Sequence, residues 1–391
     1  MKDYTSSLWG NKGVRITVIA LLAAMAAVSL IQGIRNAAEF SQDFQWDAVK
    51  AFTMRINPYD ESLDPSGVLD AYGFEDVYLQ MEANQFPSLL VLLIPYTFLA
   101  PLTARYIWIV SNLVFTAGII VLLGKTFLKT AKRDVFAAFM LLMIAGTPYR
   151  NQLGVGQHSL FAFFFFLLAV WFDEKEDRRV SFAGTVVCLF ICYFKYTLTV
   201  PLCLYFIYKR RYARIAVSVL LHIMLTVISA WWLNDSVINM IIKPLKVSGA
   251  LAGEGCLDFG VVLNGSKAAY VLAFAVLAVL FVLAFRLGEN NENDYISVLT
   301  LWSLIITYHR IYDFFIIVIV LAFFLTKERS IYYKAGYGAV LAAVFFVLRL
   351  FSESPGSKLA TGILYYVFTL AVTTTVIKEG VKSKTECKGA V

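Results

Sequence analysis

The stretch VVCLFICYFKYTLTVPLCLYFIY, residues 186–208, is almost unbroken in its apolar character and carries a single charge, Lys195. It could form one membrane-spanning helix of about 20 residues, or two shorter helices joined at the lysine. Lys and Arg in short connections orient membrane helices, and the basic connections of this chain alternate properly only if the stretch is split. We therefore expect two helices here, with Lys195 in the turn between them.

The whole chain has the composition of an integral membrane protein. Of its 391 residues, 59% are hydrophobic and 16% are charged, and the mean hydropathy is +0.70. An ordinary soluble surface carries more charge than this. The formal net charge of +7 comes mostly from connections between apolar runs, so we expect no nucleic-acid partner. The five cysteines are scattered and predict neither a disulfide framework nor a metal site.

These features predict a single all-α domain over residues 1–391, with about twelve transmembrane helices. The expected spans are 14–34, 104–124, 134–147, 158–173, 180–194, 196–208, 215–233, 268–286, 295–308, 311–326, 333–351 and 359–377. The basic connections then share one side if both termini are cytoplasmic, as expected for a protein of the plasma (bacterial inner) membrane.

The apolar run 86–101 does not fit this count. As a span it would move the next three basic loops to the outer side, and its prolines at 87, 95 and 101 would break a helix. We expect it to lie along the outer surface or dip into it, with a short span as the alternative. The first outer loop, 36–103, would then carry juxtamembrane helices, and 234–267 would be the second outer loop.

Several expected spans are too short for a full bilayer. About 14 or 15 apolar residues reach about 21 Å as an α-helix, less than the ~30 Å of hydrocarbon. Polar groups at that depth are tolerated where they line a protein-enclosed or wet cavity. The sequence therefore predicts a polar chamber that opens to the outer side and is rimmed by short helices.

Two acidic residues follow the first span. Asp43 and Asp47 are four positions apart and would share one face of a helix. A carboxylate at the edge of the chamber could accept a proton from a hydroxyl group. The alternative interpretation is a helix cap followed by a solvated acidic face.

The connection 147–158 on the same side combines two glycines with polar side chains. The glycines let the backbone approach a ligand, Arg150 could bind a phosphate through its forked donors, and Gln157 can both donate and accept. A tight polar turn explains the glycines equally well. It does not explain an arginine and a histidine, Arg150 and His158, between short helices.

Three further cationic groups are expected at the chamber. A buried Lys195 would need an anion, for which a substrate phosphate is the natural partner, whereas snorkelling to the surface is the alternative. In the late outer turn, His309 could donate a proton, and an imidazolium or a neighbouring Arg310 could stabilise a leaving phosphate. Arg310 could instead pair with Asp313 across one helical turn.

The order of these motifs resembles glycosyltransferase family 87, multi-spanning enzymes of the GT-C class that are similar to polyprenol-phosphate-mannose-dependent mannosyltransferases. The resemblance extends over roughly residues 14–325 and rests on these segments: Asp43-Phe44, Asn57-Pro58-Tyr59-Asp60, Phe86-Pro87-Ser88-Leu89-Leu90, Ala104 to Trp108, Gly156-Gln157-His158, Lys195 before Lys209-Arg210-Arg211, and His309. The chain departs from the family pattern twice. Gln45-Trp46-Asp47 replaces a frequent tyrosine pair, and Gly156-Gln157-His158-Ser159 replaces Gly-Gln-x-Asn.

The resemblance implies a GT-C-like fold and an inverting transfer of a sugar, with mannose as the expected one. The donor would be a polyprenyl-phosphate-linked sugar, and the acceptor a lipid or glycan at the outer face of the membrane. It implies that Asp43 is the general base, that Lys195, Arg150, His309 and Arg310 are candidates to hold the departing phosphate, and that Asp47, Gln157 and His158 are further substrate-binding candidates. Because the donor carries its own leaving group with one phosphate, neither a metal nor another cofactor is required.

The sequence alone leaves other functions open. About twelve spans with polar residues at depth would also suit a transporter or lipid flippase, although no internal repeat is visible and the ionisable residues cluster on one side. A polysaccharide polymerase or ligase would need a pyrophosphate-linked donor and a large outer loop. A non-catalytic scaffold would tolerate Asp43→Asn.

Overall fold

The computed structural model describes residues 9–41, 44–66, 83–250, 255–351 and 354–388. Within these ranges the chain is built from helices and contains no β-strand. The α-helices are α1 (Lys12–Phe40), α2 (Trp46–Thr53), α3 (Pro58–Leu63), α4 (Pro87–Leu93), α5 (Pro101–Lys125), α6 (Arg133–Ala145), α7 (Thr147–Val155), α8 (Ser159–Asp173), α9 (Arg178–Cys192), α10 (Tyr196–Tyr208), α11 (Tyr212–Trp232), α12 (Val237–Ala250), α13 (Phe259–Val262), α14 (Ala268–Arg286), α15 (Glu292–Ile306), α16 (Ile331–Ala342), α17 (Leu348–Leu350) and α18 (Pro355–Lys388). 3-10 helices cover Ile94–Phe98, Tyr193–Lys195, Glu289–Asn291 and Ile311–Phe324, and a π-helical turn covers Ala343–Val347.

The membrane class is confirmed, but the twelve predicted spans are not. By length and apolar composition, the described ranges contain seven candidate spans, or eight if the bent pair α7 and α8 counts as one. The seven are Lys12–Phe40, Pro101–Lys125, Arg178–Tyr208, Tyr212–Trp232, Ala268–Arg286, Ile331–Leu350 and Pro355–Gly380. The predicted spans 134–147, 158–173, 295–308 and 311–326 correspond to helices of only 13 to 15 residues.

The short helices lie in the centre of the bundle. Every residue of the 3-10 helix from Ile311 to Phe323 is buried, and so is every residue of α15 from Asp294 onward. In contrast, α11 and α14 expose most of their apolar side chains. Helices that are apolar on all sides are buried among other helices, and the long helices around them supply that cover. A central helix can therefore be shorter than a lipid-facing one.

The chain reverses direction within the stretch Arg178–Tyr208. The sulfur atoms of Cys192 and Cys203 are 3.9 Å apart, whereas eleven residues of straight α-helix would separate them by about 16 Å. The far ends of α9 and α10 also meet at one end of the bundle, where Asp173 binds Arg211 at 2.8 Å and Ser181 accepts from Arg214 at 3.0 Å. Although the stretch counts as one candidate span by length and composition, it is therefore a helical hairpin, and Lys195 lies at its vertex, as the charge pattern predicts.

Ion pairs define one end of the bundle, which we call the basic end. There Arg15 of α1 pairs with Asp134 of α6 at 3.2 Å, Lys209 pairs with Glu292 of α15 at 3.2 Å, and Lys327 binds Glu379 of α18 at 2.8 Å. The opposite end, which we call the site end, contains the vertex of the hairpin and the break between α7 and α8. The assignment of the basic end and of both termini to the cytoplasm stays a prediction.

The run 86–101 forms α4 and the 3-10 helix Ile94–Phe98, with Pro87 in the first turn of α4. Together these helices are too short to be counted among the candidate spans. The residues Leu89, Leu90 and Leu93 are buried against α2 and its neighbours. The position of this segment along the membrane surface stays a prediction.

Candidate active site

The vertex of the hairpin places a lysine inside the protein. Only 7% of the Lys195 surface is exposed. Its Nζ donates to Gln157 Oε1 at 3.1 Å and lies 3.9 Å from Asp313 Oδ2. An ammonium group loses its hydration on burial and needs compensating partners, so this lysine does not snorkel to the surface.

His309 and Asp313 form the second part of this cluster. His309 is fully buried, and its Nδ1 lies 2.7 Å from Asp313 Oδ2, one helical turn further on. Its Nε2 lies 3.3 Å from the carbonyl oxygen of Thr197, next to the hairpin vertex. Asp313 Oδ1 also accepts a hydrogen bond from Ser159 at the start of α8. Asp313 thus binds His309 and Ser159, while the Nε of Arg310 donates to Tyr308 at 2.6 Å.

The break between α7 and α8 orients Gln157. Gly156 ends α7 with φ of 76°, a left-handed conformation that favours glycine, and an added Cβ there would clash with Ser41 Oγ. The indole of Trp108 donates to the carbonyl of Gly156 at 2.7 Å, and the amide of Gln152 donates to the carbonyl of Gln157 at 2.6 Å. These bonds fix the turn, so the Gln157 side chain can reach Lys195.

His158 lies in the same turn and faces an aromatic cluster. Its ring centroid is 5.2 Å from that of Trp108, whose ring stacks on Phe44 at 5.6 Å. The residue is fully buried, and neither ring nitrogen makes a hydrogen bond of normal geometry. Buried polar groups without partners are rare in native proteins, so they mark a place where a ligand or water is expected to bind.

Asp47 lies in the first turn of α2, and only 6% of its surface is exposed. Its Oδ1 is buried without a hydrogen-bond partner. Burial raises the pKa of Asp47 from 3.8 to about 7, against the opposing charge of Arg105. This carboxyl group is therefore not a solvated acidic face. Asp43, the predicted base, lies outside the described residues.

The two predicted arginines are not part of the buried cluster. Arg150 donates to Gln32 of α1 at 2.9 Å. Arg310 is exposed beside the cluster. Six of the eight predicted site residues therefore lie at or near the site end, one lies on the flank of α1, and Asp43 is not described.

Sequence reasoning missed Asp258. Its Oδ1 caps α13 by accepting from the backbone of Gly260 at 2.9 Å, and its Oδ2 lies 3.5 Å from the backbone nitrogen of His309. Burial raises the pKa of Asp258, and the nearby His309 opposes that effect. The Asp-Phe-Gly pattern at 258–260 was a signal for a helix cap. No local pattern indicated that Asp258 would lie beside His309, which is 51 residues away in the sequence.

A cavity of about 410 Å³ lies against this cluster. Its wall includes polar residues that contact His309, namely Asp258 and Thr197. An apolar groove of about 480 Å³ runs along α10, α11 and α14 and shares Tyr196 with the cavity. In the described ranges, no group of three or more His, Cys, Asp or Glu residues is placed to bind a metal.

Comparison with known proteins identifies one family. The family model of glycosyltransferase family 87 matches residues 87–254. This confirms the family resemblance, over a shorter range than the motifs suggested. The match includes Arg150, Gln157, His158 and Lys195, and it leaves out the acidic segment after α1 and the turn with His309. No curated protein and no solved structure matches the chain.

Proposed function

We propose that this chain, whose residues 87–254 match the family model of glycosyltransferase family 87, transfers a sugar, mannose in the first instance, from a polyprenyl-phosphate donor. The acceptor is a lipid or glycan at the outer face of the plasma membrane. The family supports the glycosyl transfer, and the donor, acceptor and membrane face belong to the proposal.

One observation carries this proposal: Lys195 is buried at a hairpin vertex, and its hydrogen-bond partner among the described residues is a neutral amide. Within the described ranges the nearest carboxylate oxygen, on Asp313, is 3.9 Å away and already accepts from His309. A buried ammonium with so little compensation is suited to an anion that arrives with the substrate. A phosphate on the donor would supply that charge.

The shape of the site end fits a donor with a long apolar tail. The groove along α10, α11 and α14 is lined almost wholly by apolar side chains, and it shares Tyr196 with the cavity beside Asp258. A prenyl chain could lie in the groove while the phosphate-linked sugar enters the polar cavity. This arrangement would place the headgroup near Lys195 and His309.

In the proposed mechanism, Asp43 removes the proton from the acceptor hydroxyl as its oxygen attacks the anomeric carbon. The bond from that carbon to the phosphate oxygen breaks, and the configuration at the carbon is inverted. The charge that develops on the departing phosphate is stabilised by Lys195, with His309 and Arg310 nearby. Gln157, His158 and Asp47 position the substrates through their polar groups.

The test incubates the purified protein with polyprenyl-phosphate-mannose and a membrane lipid extract. Wild type should form a mannosylated lipid, and Asp43→Asn and Lys195→Ala should each form far less. Lys209→Ala, which removes a lysine at the basic end, is the matched control and should retain activity. Equal product from Asp43→Asn would remove the base assignment. Solute flux in proteoliposomes without any sugar transfer would favour a transporter instead.

A further inference from the structure

Asp313 connects three separate parts of the site end. It is 99% buried, and both of its oxygens have partners. One oxygen accepts from Ser159 at the start of α8, and the other lies 2.7 Å from His309 Nδ1 and 3.9 Å from Lys195 Nζ. Its side chain is therefore the common neighbour of the two buried cationic candidates.

The partners of His309 determine where its hydrogens lie. A carboxylate can only accept, so Nδ1 must donate to Asp313, and the carbonyl of Thr197 can also only accept, so Nε2 is placed to donate to it. Two donating nitrogens are the arrangement of an imidazolium. The ring of His309 or its partner Asp313 is faced by other charged and titratable groups. These are Asp258, at the N-cap of α13, and Lys195 with its neighbour His158.

We propose that Asp313 is a positioning residue, which fixes the His309 ring with a protonated Nδ1 and holds Lys195 beside it. It does not touch the substrate. It keeps two like charges together in a buried place, where they would otherwise repel each other and lack an anion. The inference rests on the proposed function in one respect, that these two cations stabilise a departing phosphate.

The hydrogen position can be tested without an activity assay. The chain has three histidines, so the nitrogen NMR spectrum of full-length protein labelled at histidine is simple, and His309→Gln assigns the signals of interest. We expect a protonated Nδ1 at His309 in wild type and its loss, or a mixture of tautomers, in Asp313→Asn. Ser159→Ala leaves the carboxylate in place and should keep the wild-type signal.

Two results would overturn the inference in this experiment. The first is an unprotonated Nδ1 at His309 in wild type, and the second is an unchanged signal in folded Asp313→Asn. If Asp313→Asn fails to fold, as judged by thermal unfolding in detergent, the experiment uses Asp313→Glu in its place, because this variant keeps the charge. The glutamate variant should retain the protonated Nδ1, and loss of that proton from a folded Asp313→Glu protein would count against the assignment.

The activity arm uses polyprenyl-phosphate-mannose and the membrane lipid extract. Asp313→Asn should lower kcat about 100-fold or more with a smaller change in KM, because Asp313 acts on charge stabilisation through its neighbours. If it acts through His309, then Asp313→Asn combined with His309→Gln should lose little more than either change alone. Losses that multiply would mean that Asp313 acts independently. An inactive wild type with the expected NMR signals would refute the proposed function and leave the arrangement of His309 intact.

Discussion

Two buried ionic clusters occupy opposite ends of this bundle, and they differ in how completely their charges are paired. At the basic end, Asp294 accepts from Lys327 and from Arg329, each at 2.6 Å, and Glu379 binds the same two cations. At the site end, Lys195 is 3.9 Å from the carboxylate of Asp313, and its short contact among the described residues is to the amide of Gln157. The first cluster has two carboxylates for two cations, all in close contact.

Among the described residues, the neighbourhood of the site end also contains buried polar atoms that make no hydrogen bond of normal geometry. They are Asp47 Oδ1, Gln152 Oε1 and both ring nitrogens of His158. A protein that only needed stability would pair or remove such groups, since each one costs free energy in the folded state. The difference fits the proposal that the basic-end cluster stabilises the fold, whereas the site-end cluster is completed by a substrate.

The largest expected effect is on stability, from Asp294→Asn. This change leaves Lys327 and Arg329 with one carboxylate between them, and breaking a buried pair typically costs about 3 to 5 kcal/mol. Urea or thermal unfolding in detergent should show the loss, while the folded fraction keeps its kcat for mannosyl transfer. A drop in kcat with unchanged stability would reverse the roles assigned to the two clusters.

The next effect is on activity, from Lys195→Met. Methionine fills a similar volume without the charge, so we expect about a 100-fold loss in kcat/KM for polyprenyl-phosphate-mannose, comparable with the removal of one charge-stabilising group. Thermal stability should be unchanged or higher, because a buried and poorly paired ammonium is removed. Lys209→Met, at the basic end, should change kcat/KM less than twofold. A destabilised Lys195→Met protein would show that this lysine serves the fold.

Asp47 gives a smaller effect that depends on pH. Its pKa is raised to about 7 in the folded protein by burial, so the folded state holds a proton that the unfolded chain has released above pH ~4. Its contribution to stability therefore falls as the pH rises from about 4 to about 7 and is constant above that. Asp47→Asn removes this dependence. Relative to wild type, its unfolding free energy should rise by up to about 2 kcal/mol between pH 5 and pH 8.

The measurement is a set of unfolding curves for wild type and Asp47→Asn between pH 4 and pH 9. Glu61→Gln is a suitable comparison, because Glu61 is equally buried yet accepts from Ser66 through both oxygens. A constant difference between wild type and Asp47→Asn across this range would show that Asp47 is not the group whose protonation changes.

The smallest effect is expected from Arg150→Ala. Arg150 donates to Gln32 on α1 and does not contact the Lys195 cluster. We expect a change in kcat/KM of less than about threefold, in line with the modest value of a partly exposed polar contact. A loss near that of Lys195→Met would mean that Arg150 turns toward the substrate and that the site extends to the flank of α1.

Part of the site could be predicted because its signals are local. The position of Lys195 in a turn follows from one charge in an apolar stretch and from the spacing of basic loops. The turn at Gly156 follows from its glycine, and the polar residues Gln157 and His158 come directly after that glycine in the sequence. The number of membrane-spanning helices could not be predicted from such local signals. A buried helix such as α15 needs fewer residues than a lipid-facing one, and hydropathy alone does not tell the two apart.

The sequence by itself determined that the protein is a helical membrane protein, that Lys195 ends a helix, and that residues 87–254 match glycosyltransferase family 87. Only the tertiary structure decided which charges meet. Ser159 and Asp313 are 154 positions apart and touch because α7, which ends just before Ser159, packs beside the central 3-10 helix. The physical reason is that hydropathy and charge spacing act along a few turns of chain, whereas a buried ion finds its partner through the packing of whole helices.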